Sequence, residues 1–331
     1  MSPFAPRKSR AVNFKFLLRP ARPNQNCMNP PRFPRRLTAL FLLGSLALHA
    51  PLVHAADATA PAVRPSPNTH GVDMRTQSGP PGAARYSPPA PLDEKLPTLW
   101  LIGDSTVRNG SAGDGTNLNQ WGWGAPLTFF FDAKKVNVVN RALGGTSARS
   151  FYHGNWKKMS DLLKAGDVVI MQFGTNDGGN PTSSVGELRG LGDETQDITN
   201  RAGAAETVHT FGWYLRQIIT ETHAKGATPV VCSLIPRKNW DDSNHIARAR
   251  DTFAGWAGQV ARAEQAAFID LLYVPNPTPE KPKGETVHPG WDGAVLNAEV
   301  VVSGLKALGD KNPVAAYFSL KAETIAAATS D

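Results

Sequence analysis

Five short apolar runs constrain this chain more than any other feature: Leu99 to Ile102, Val136 to Val139, Val168 to Phe173, Pro229 to Ile235 and Phe268 to Leu272. They are nearly continuous rather than alternating, the pattern of strands covered on both faces. Amphipathic stretches of helical length fall around them: Gln120 to Phe131, Trp156 to Lys164, Glu206 to Lys225, Asn244 to Ala266 and Gly293 to Leu308. Two of these stop at Ala165-Gly166 and Lys225-Gly226, where glycine closes a helix. Strand and helix alternating five times predicts a parallel sheet with helices on both faces. Residues 98–331 fit one such domain, since α/β domains of about 200 to 250 residues are common. Ligands of such a sheet bind outside the carboxyl ends of its strands, so those ends are where chemistry is to be sought.

The formal net charge of +7 comes from 35 Lys and Arg against 28 Asp and Glu. Nine of the basic residues, and none of the acidic ones, precede residue 56, so residues 56–331 carry 26 basic against 28 acidic side chains. The basic footprint of a nucleic-acid binder is therefore missing from the folded part. Within residues 1–55, Arg35-Arg36 precedes the apolar run Leu37 to Leu48, and Val53-His54-Ala55 places small residues around a cut. That order is the order of a secretory signal, and the run is shorter than the about 20 residues that span a bilayer. Met28 is a candidate start. Residues 56–97 hold nine prolines with four basic and four acidic residues, the composition of a flexible tether. Cys27 would leave with the signal, so Cys232 in the fourth apolar run would remain as a small buried hydrophobe. An exported chain with no membrane anchor and no intramolecular disulfide is expected.

Polar turns follow the first three strands. Gly103-Asp104-Ser105-Thr106 leaves the first, Arg141-Ala-Leu-Gly-Gly-Thr-Ser-Ala148 the second, and Gly174-Thr-Asn-Asp-Gly-Gly179 the third. A serine on such a turn is placed as a nucleophile, a glycine there lets backbone N–H approach a ligand, and Asn176 offers an amide donor. Taken singly, the first two turns are better read as local capping or turn sequences, and Asn also suits a turn for its own hydrogen bonding; three at successive strand ends make a case together. A hydroxyl nucleophile needs a base. Of eight histidines, His49, His54 and His70 lie in the leader and tether, His209 and His223 on an expected helix, His245 at the start of another and His153 in a loop. His288, in Glu285-Thr-Val-His-Pro-Gly290, can fold back over the strand ends with Glu285 three residues earlier to orient its ring.

These segments resemble the SGNH or GDSL-type hydrolases, whose four blocks supply Ser, Gly, Asn and His. Here the blocks are Gly103-Asp-Ser105, Gly145, Gly174-x-Asn176-Asp177 and Glu285-x-x-His288, in the family's order across residues 98–310. Gly122-Trp-Gly124, Gly145-Thr-Ser-Ala-Arg-Ser-Phe151 and Thr210-Phe-Gly-Trp-Tyr-Leu-Arg216 are similar to the rhamnogalacturonan acetylesterases within that superfamily (carbohydrate esterase family 12). The resemblance implies a flavodoxin-like three-layer α/β/α sandwich with a five-stranded parallel sheet. It implies Ser105 as nucleophile, His288 as base, Glu285 in place of the usual Asp as orienting acid, and an oxyanion hole from Ser105, Gly145 and Asn176. It also implies removal of O-acetyl groups from plant cell-wall polysaccharide, without metal or cofactor, by a monomer. Contacts to that substrate are expected from Asp104, Trp121, Trp123, Arg149, Asp177, Arg237 and Trp240, aromatic rings stacking on sugars and arginines gripping carboxylates. Tyr152, Trp156 and Arg108 lie on the same segments, and core packing is an equal alternative for the aromatics. Acetylxylan or small acyl esters, a lipid esterase, and a non-catalytic glycan-binding module are the other readings. No Gly-x-Ser-x-Gly, His-x-His or His-Glu-x-x-His occurs, which disfavours an α/β-hydrolase elbow and metal-dependent deacetylation.

Overall fold

A computed structural model describes residues 89–108, 120–237, 239, 252–272 and 287–329, all within one compact unit, Ala60–Asp331. The signal-like run, residues 56–88 of the proline-rich stretch, Glu285 and Trp240 lie outside the described residues. Strands β1 (Thr98–Gly103), β2 (Asn137–Asn140), β3 (Val168–Gln172), β6 (Thr228–Cys232) and β7 (Ala267–Ile269) form one sheet in the order β2-β1-β3-β6-β7. Every pairing in it is parallel, Leu101 lying opposite Asn140 on one side and Ile170 on the other. All five expected strands are thus present, in flavodoxin-like order.

Successive side chains of a strand point to opposite faces, and the apolar runs divide accordingly. Leu99, Leu101, Val138, Ile170 and Val230 pack on one face against α1 (Gly124–Leu127) and α6 (Trp291–Ala307), joined by α7 (Leu320–Glu323). Trp100, Ile102, Val139, Met171 and Val231 pack on the other against α2 (Ala148–Phe151), α3 (Lys157–Ser160), α4 (Phe211–Ala224) and α5 (Phe253–Ala263). The result is three layers, each buried aliphatic side chain contributing about 1.5–3 kcal/mol. Trp100, wholly buried, satisfies its indole N–H at the Asp167 carboxylate, which also accepts from the Thr98 amide.

Several helical expectations are shortened or corrected. Gln120 to Phe131 gives only α1 and a 3₁₀ turn, because the amides of Trp121 to Gly124 donate to Pro289, Arg108, Thr106 and Val107 instead of to a preceding helical turn. The helix expected from Glu206 starts at Phe211: residues before it form a hairpin of β4 (Thr195–Thr199) and β5 (Ala205–His209), so His209 is on a strand. Thr210 sets the boundary, its hydroxyl accepting from the Trp213 amide as an N-cap at 3.1 Å. A π-turn, Tyr152–Trp156, links α2 to α3.

Candidate active site

The chain leaves β1 through Gly103, whose φ of +153° suits only glycine, and where a side chain would strike Gln172 and Val107. The tight turn that follows puts Ser105 at the carboxyl end of the sheet, with the Val107 and Arg108 amides donating to the Asp104 carbonyl. Ser105 Oγ stands 2.7 Å from His288 Nε2 although 183 residues separate them. The strip Trp121–Gly124 brings the two together. Its Trp123 and Gly124 amides donate to Thr106 and Val107, the Gly122 amide to Arg108, and the Trp121 amide to Pro289 beside the histidine, each at 3.0 Å. Trp121 also packs edge-on against Trp291, the first residue of α6, at 4.9 Å. A side chain at Gly122 would collide with the backbone of Val107 and Arg108, so glycine is needed for this close approach.

The second and third turns converge on the same point. Gly145 adopts φ +76°, and a methyl group added there would meet no atom within 4 Å, so the turn borders open space. Asn176 Nδ2 donates to the Thr146 carbonyl at 2.9 Å, which fixes the amide and leaves its second N–H to point elsewhere. The Ser105 and Gly145 amides donate to no acceptor among the described residues. A hydroxyl paired with an imidazole, beside three N–H donors on strand ends, is what acyl transfer through a tetrahedral oxyanion requires.

Beneath this surface lies a buried polar layer, and here several sequence expectations fail. Asp104 has no exposed surface: its Oδ1 accepts from the Thr106 amide and hydroxyl, each at 2.8 Å, so it builds the nucleophile turn instead of touching substrate. Burial pushes its carboxyl up, while the Thr106 hydrogen bonds and the nearby Thr175 and His288 pull it back. The Thr106 hydroxyl accepts from Gln172 Nε2, and Gln172 Oε1 accepts from the Trp123 indole at 2.9 Å. Trp123 is therefore a buried member of this chain of hydrogen bonds, and Trp121 is buried as well. Tyr152 and Trp156 are likewise interior, both donating to the Glu221 carboxylate at 2.7 Å.

Asp177 and Arg149 are interior for a related reason. Asp177 accepts from the amides of Ala148 and Gly174, each at 2.8 Å, joining the second turn to the third. Beside it Glu187 accepts from the Arg149 amide at 2.9 Å, and its other oxygen meets no N–H donor. A proton on that oxygen, donated to Asp177, satisfies it: burial, and then the Asp177 charge, hold Glu187 well above the usual carboxyl range, while burial lifts Asp177 to about 6. Arg149, 2% exposed, pairs with Glu206 of β5 at 2.7 Å and donates to the carbonyls of Pro181, Ser183 and Gly186. Every donor it has faces protein, so it cannot grip a substrate carboxylate. Only Arg237 of the described expected contacts is exposed, its guanidinium donating to the Thr175 carbonyl at 3.1 Å. Glu285 and Trp240 lie outside the described residues.

Known proteins resemble the chain over this same region. A rhamnogalacturonan acetylesterase of Emericella nidulans is 34% identical over 176 residues, 52% of this chain and 66% of that protein. The aligned part thus falls just short of two thirds of that relative's length. The probable rhamnogalacturonan acetylesterase YesY of Bacillus subtilis is 28% identical across 53% of the chain and 70% of its own length, and RhgT of the same organism 24% identical across 64% and 90%. The crystal structure of protein YxiM from Bacillus subtilis shares the fold, with a TM-score of 0.51 at 24% identity over 66% of this chain and 58% of that one. The sequence pattern of the GDSL-like lipase/acylhydrolase family matches residues 101–296, well over half of the chain, from β1 through the Ser105 turn and His288 into α6, and the chain belongs to that family.

Proposed function

We propose that this chain is a serine carboxylic-ester hydrolase that removes O-acetyl groups from plant cell-wall polysaccharide, with acetylated rhamnogalacturonan as its substrate. The 2.7 Å pairing of Ser105 Oγ with His288 Nε2, beside the Gly145 and Asn176 donors, carries the reading; the relatives' names support the substrate. In this mechanism Ser105 Oγ attacks the acetyl carbonyl while His288 Nε2 takes its proton. The oxyanion accepts from the Ser105 and Gly145 amides and the second Asn176 N–H. His288 then protonates the departing sugar oxygen. Next it takes a proton from the water that attacks the acetyl-enzyme, and acetate and free Ser105 result. Glu285 is the residue proposed to orient His288. The N-terminal basic pair and apolar run support export of the enzyme to the polymer it acts on.

Acetate release from acetylated rhamnogalacturonan, xylan and chitin, measured with wild type and Ser105→Ala, tests this. Fastest release from rhamnogalacturonan, abolished in the variant, is the expected result. Faster release from xylan or chitin would overturn the substrate, and an active Ser105→Ala the mechanism.

A further inference from the structure

Beside the turn that carries Asn176, a cavity of about 360 Å³ opens along the ends of β3 and β6, lined in part by Gly174, Thr175, Gly178, Arg237, Asn239 and Phe253. Two arginines reach this turn from different segments, Arg237 in the cavity lining and Arg189 against its lining residues Phe253 and Gly178. Arg237 comes from the segment after β6 and is held at Thr175 by its 3.1 Å hydrogen bond. Arg189 comes from the segment before the hairpin, its guanidinium 5.4 Å from the centroids of both Phe253 and Trp256, and its Nη1 3.9 Å from where a methyl group on Gly178 would stand. A guanidinium held near two aromatic rings is restrained in position while N–H groups stay available. Both side chains are exposed, and neither pairs with a carboxylate among the described residues. Asp177, the acid nearest in sequence to this turn, is buried and committed to backbone amides and Glu187. The positive charge is local, because residues 56–331 carry an acidic excess, and its influence fades over a Debye length of about 8–10 Å.

From this juxtaposition we infer that Arg189 and Arg237 form a carboxylate-binding subsite, which takes the uronate carboxylate of a sugar neighbouring the acetylated one. The inference rests on the esterase reading above and adds to it how an acidic polymer is told from a neutral one. Arg149, just after the oxyanion turn, cannot serve, since its donors are consumed internally. The subsite shares the Gly174–Gly178 turn with Asn176, so a carboxylate held there fixes the register of the polymer against the oxyanion donors.

The test varies the carboxylate first, which leaves the protein intact. Wild-type kcat/KM is measured on acetylated acidic oligosaccharides with free and with methyl-esterified uronates, and on acetylated xylo-oligosaccharides. Esterification is expected to lower kcat/KM roughly 10- to 100-fold, mostly through KM, the weight of one or two charge-assisted hydrogen bonds. Arg189→Gln and Arg237→Gln should each shrink the ratio of acidic to neutral substrate, and the double variant should bring it near one. Arg189→Lys, which keeps the charge but loses the guanidinium fork, should retain part of it. Added salt should raise the wild-type KM for the acidic substrate more than that of the double variant. Equal rates on free and esterified uronates, or an unchanged ratio in the folded double variant, would overturn the subsite while leaving the esterase reading standing. An enzyme inactive on every acidic substrate but active on xylan would overturn both the proposed substrate and the subsite.

Discussion

Arg149 and Arg237 stand at the same edge of the sheet, and as residue types they offer the same chemistry, yet one is interior and the other open. Arg149 is enclosed by Glu206 and three carbonyls; Arg237 keeps a single anchoring contact and otherwise faces solvent. The contrast extends to their surroundings. Asp104, Thr106, Gln172, Asp177 and Glu187 form a buried underlayer with Arg149, while Gly145, Asn176 and the two exposed arginines form the surface above it, with Ser105, 8% exposed, at its floor. The underlayer ties one turn to the next, β1 to Trp123 and the second turn to the third. Rigid support of this kind keeps N–H donors aimed where charge develops, and preorganisation is where most of an oxyanion hole's effect lies. The lesson is that charge at a strand end says little about whether a residue reads the substrate or builds the platform.

Variants can break this division. The largest effect belongs to the surface: Ser105→Ala should abolish acetate release while urea unfolding midpoints stay near wild type. Next comes the underlayer, where Arg149→Met leaves Glu206 and several carbonyls without their donor and should cost about 3–5 kcal/mol of stability, read by urea denaturation. A cost below 1 kcal/mol would place Arg149 with the surface residues after all. Asn176→Ala should slow kcat about 100- to 1000-fold with little change in thermal stability, and a matching fall in Tm would show that the amide supports the turn rather than the oxyanion. The smallest expected effect is on pH dependence. Because folding raises the carboxyl pKa of Asp177 from 3.8 to about 6, the native pair holds a proton the unfolded chain has given up, and its stabilising contribution is lost as pH rises through about 6. Glu187, held well above the usual carboxyl range, adds a dependence of the same sign, and Glu187→Gln removes that part by donating to Asp177 at every pH, so its Tm should decline less between pH 5 and pH 8 than that of the wild type.

How far the sequence reveals this arrangement follows the same division. The five strands were readable because a strand buried on both faces must be apolar at every position, as Val168 to Met171 is. The hairpin was not: in Thr195–Thr199 and Ala205–His209 only Ile198 and Val208 are buried, too few to set a period. Its last residues run into the amphipathic pattern of α4, although Thr210 carried a capping signal. The surface of the site was legible block by block, since Ser105, Gly145, Asn176 and His288 each sit next to a strand or helix end. The underlayer was not legible, because its pairings are distant: Glu187 and Glu206 lie 38 and 57 residues from Arg149. Asp104, Arg149 and Asp177 accordingly read as substrate contacts in the sequence, and Trp123 as either a contact or a core residue. Arg189 carries no signal in the sequence, because only the folded chain brings Phe253 and Trp256 beside it.

The hydrogen bond from the Trp123 indole to Gln172 has an optical consequence. Gln172 donates in turn to Thr106, the neighbour of Ser105, so a chromophore sits two hydrogen bonds from the nucleophile turn, fully shielded from solvent. Any loosening of that turn, by a ligand, an inhibitor or mild denaturant, must alter the polarity around this indole, and its emission wavelength becomes a continuous report on whether the nucleophile is held in place.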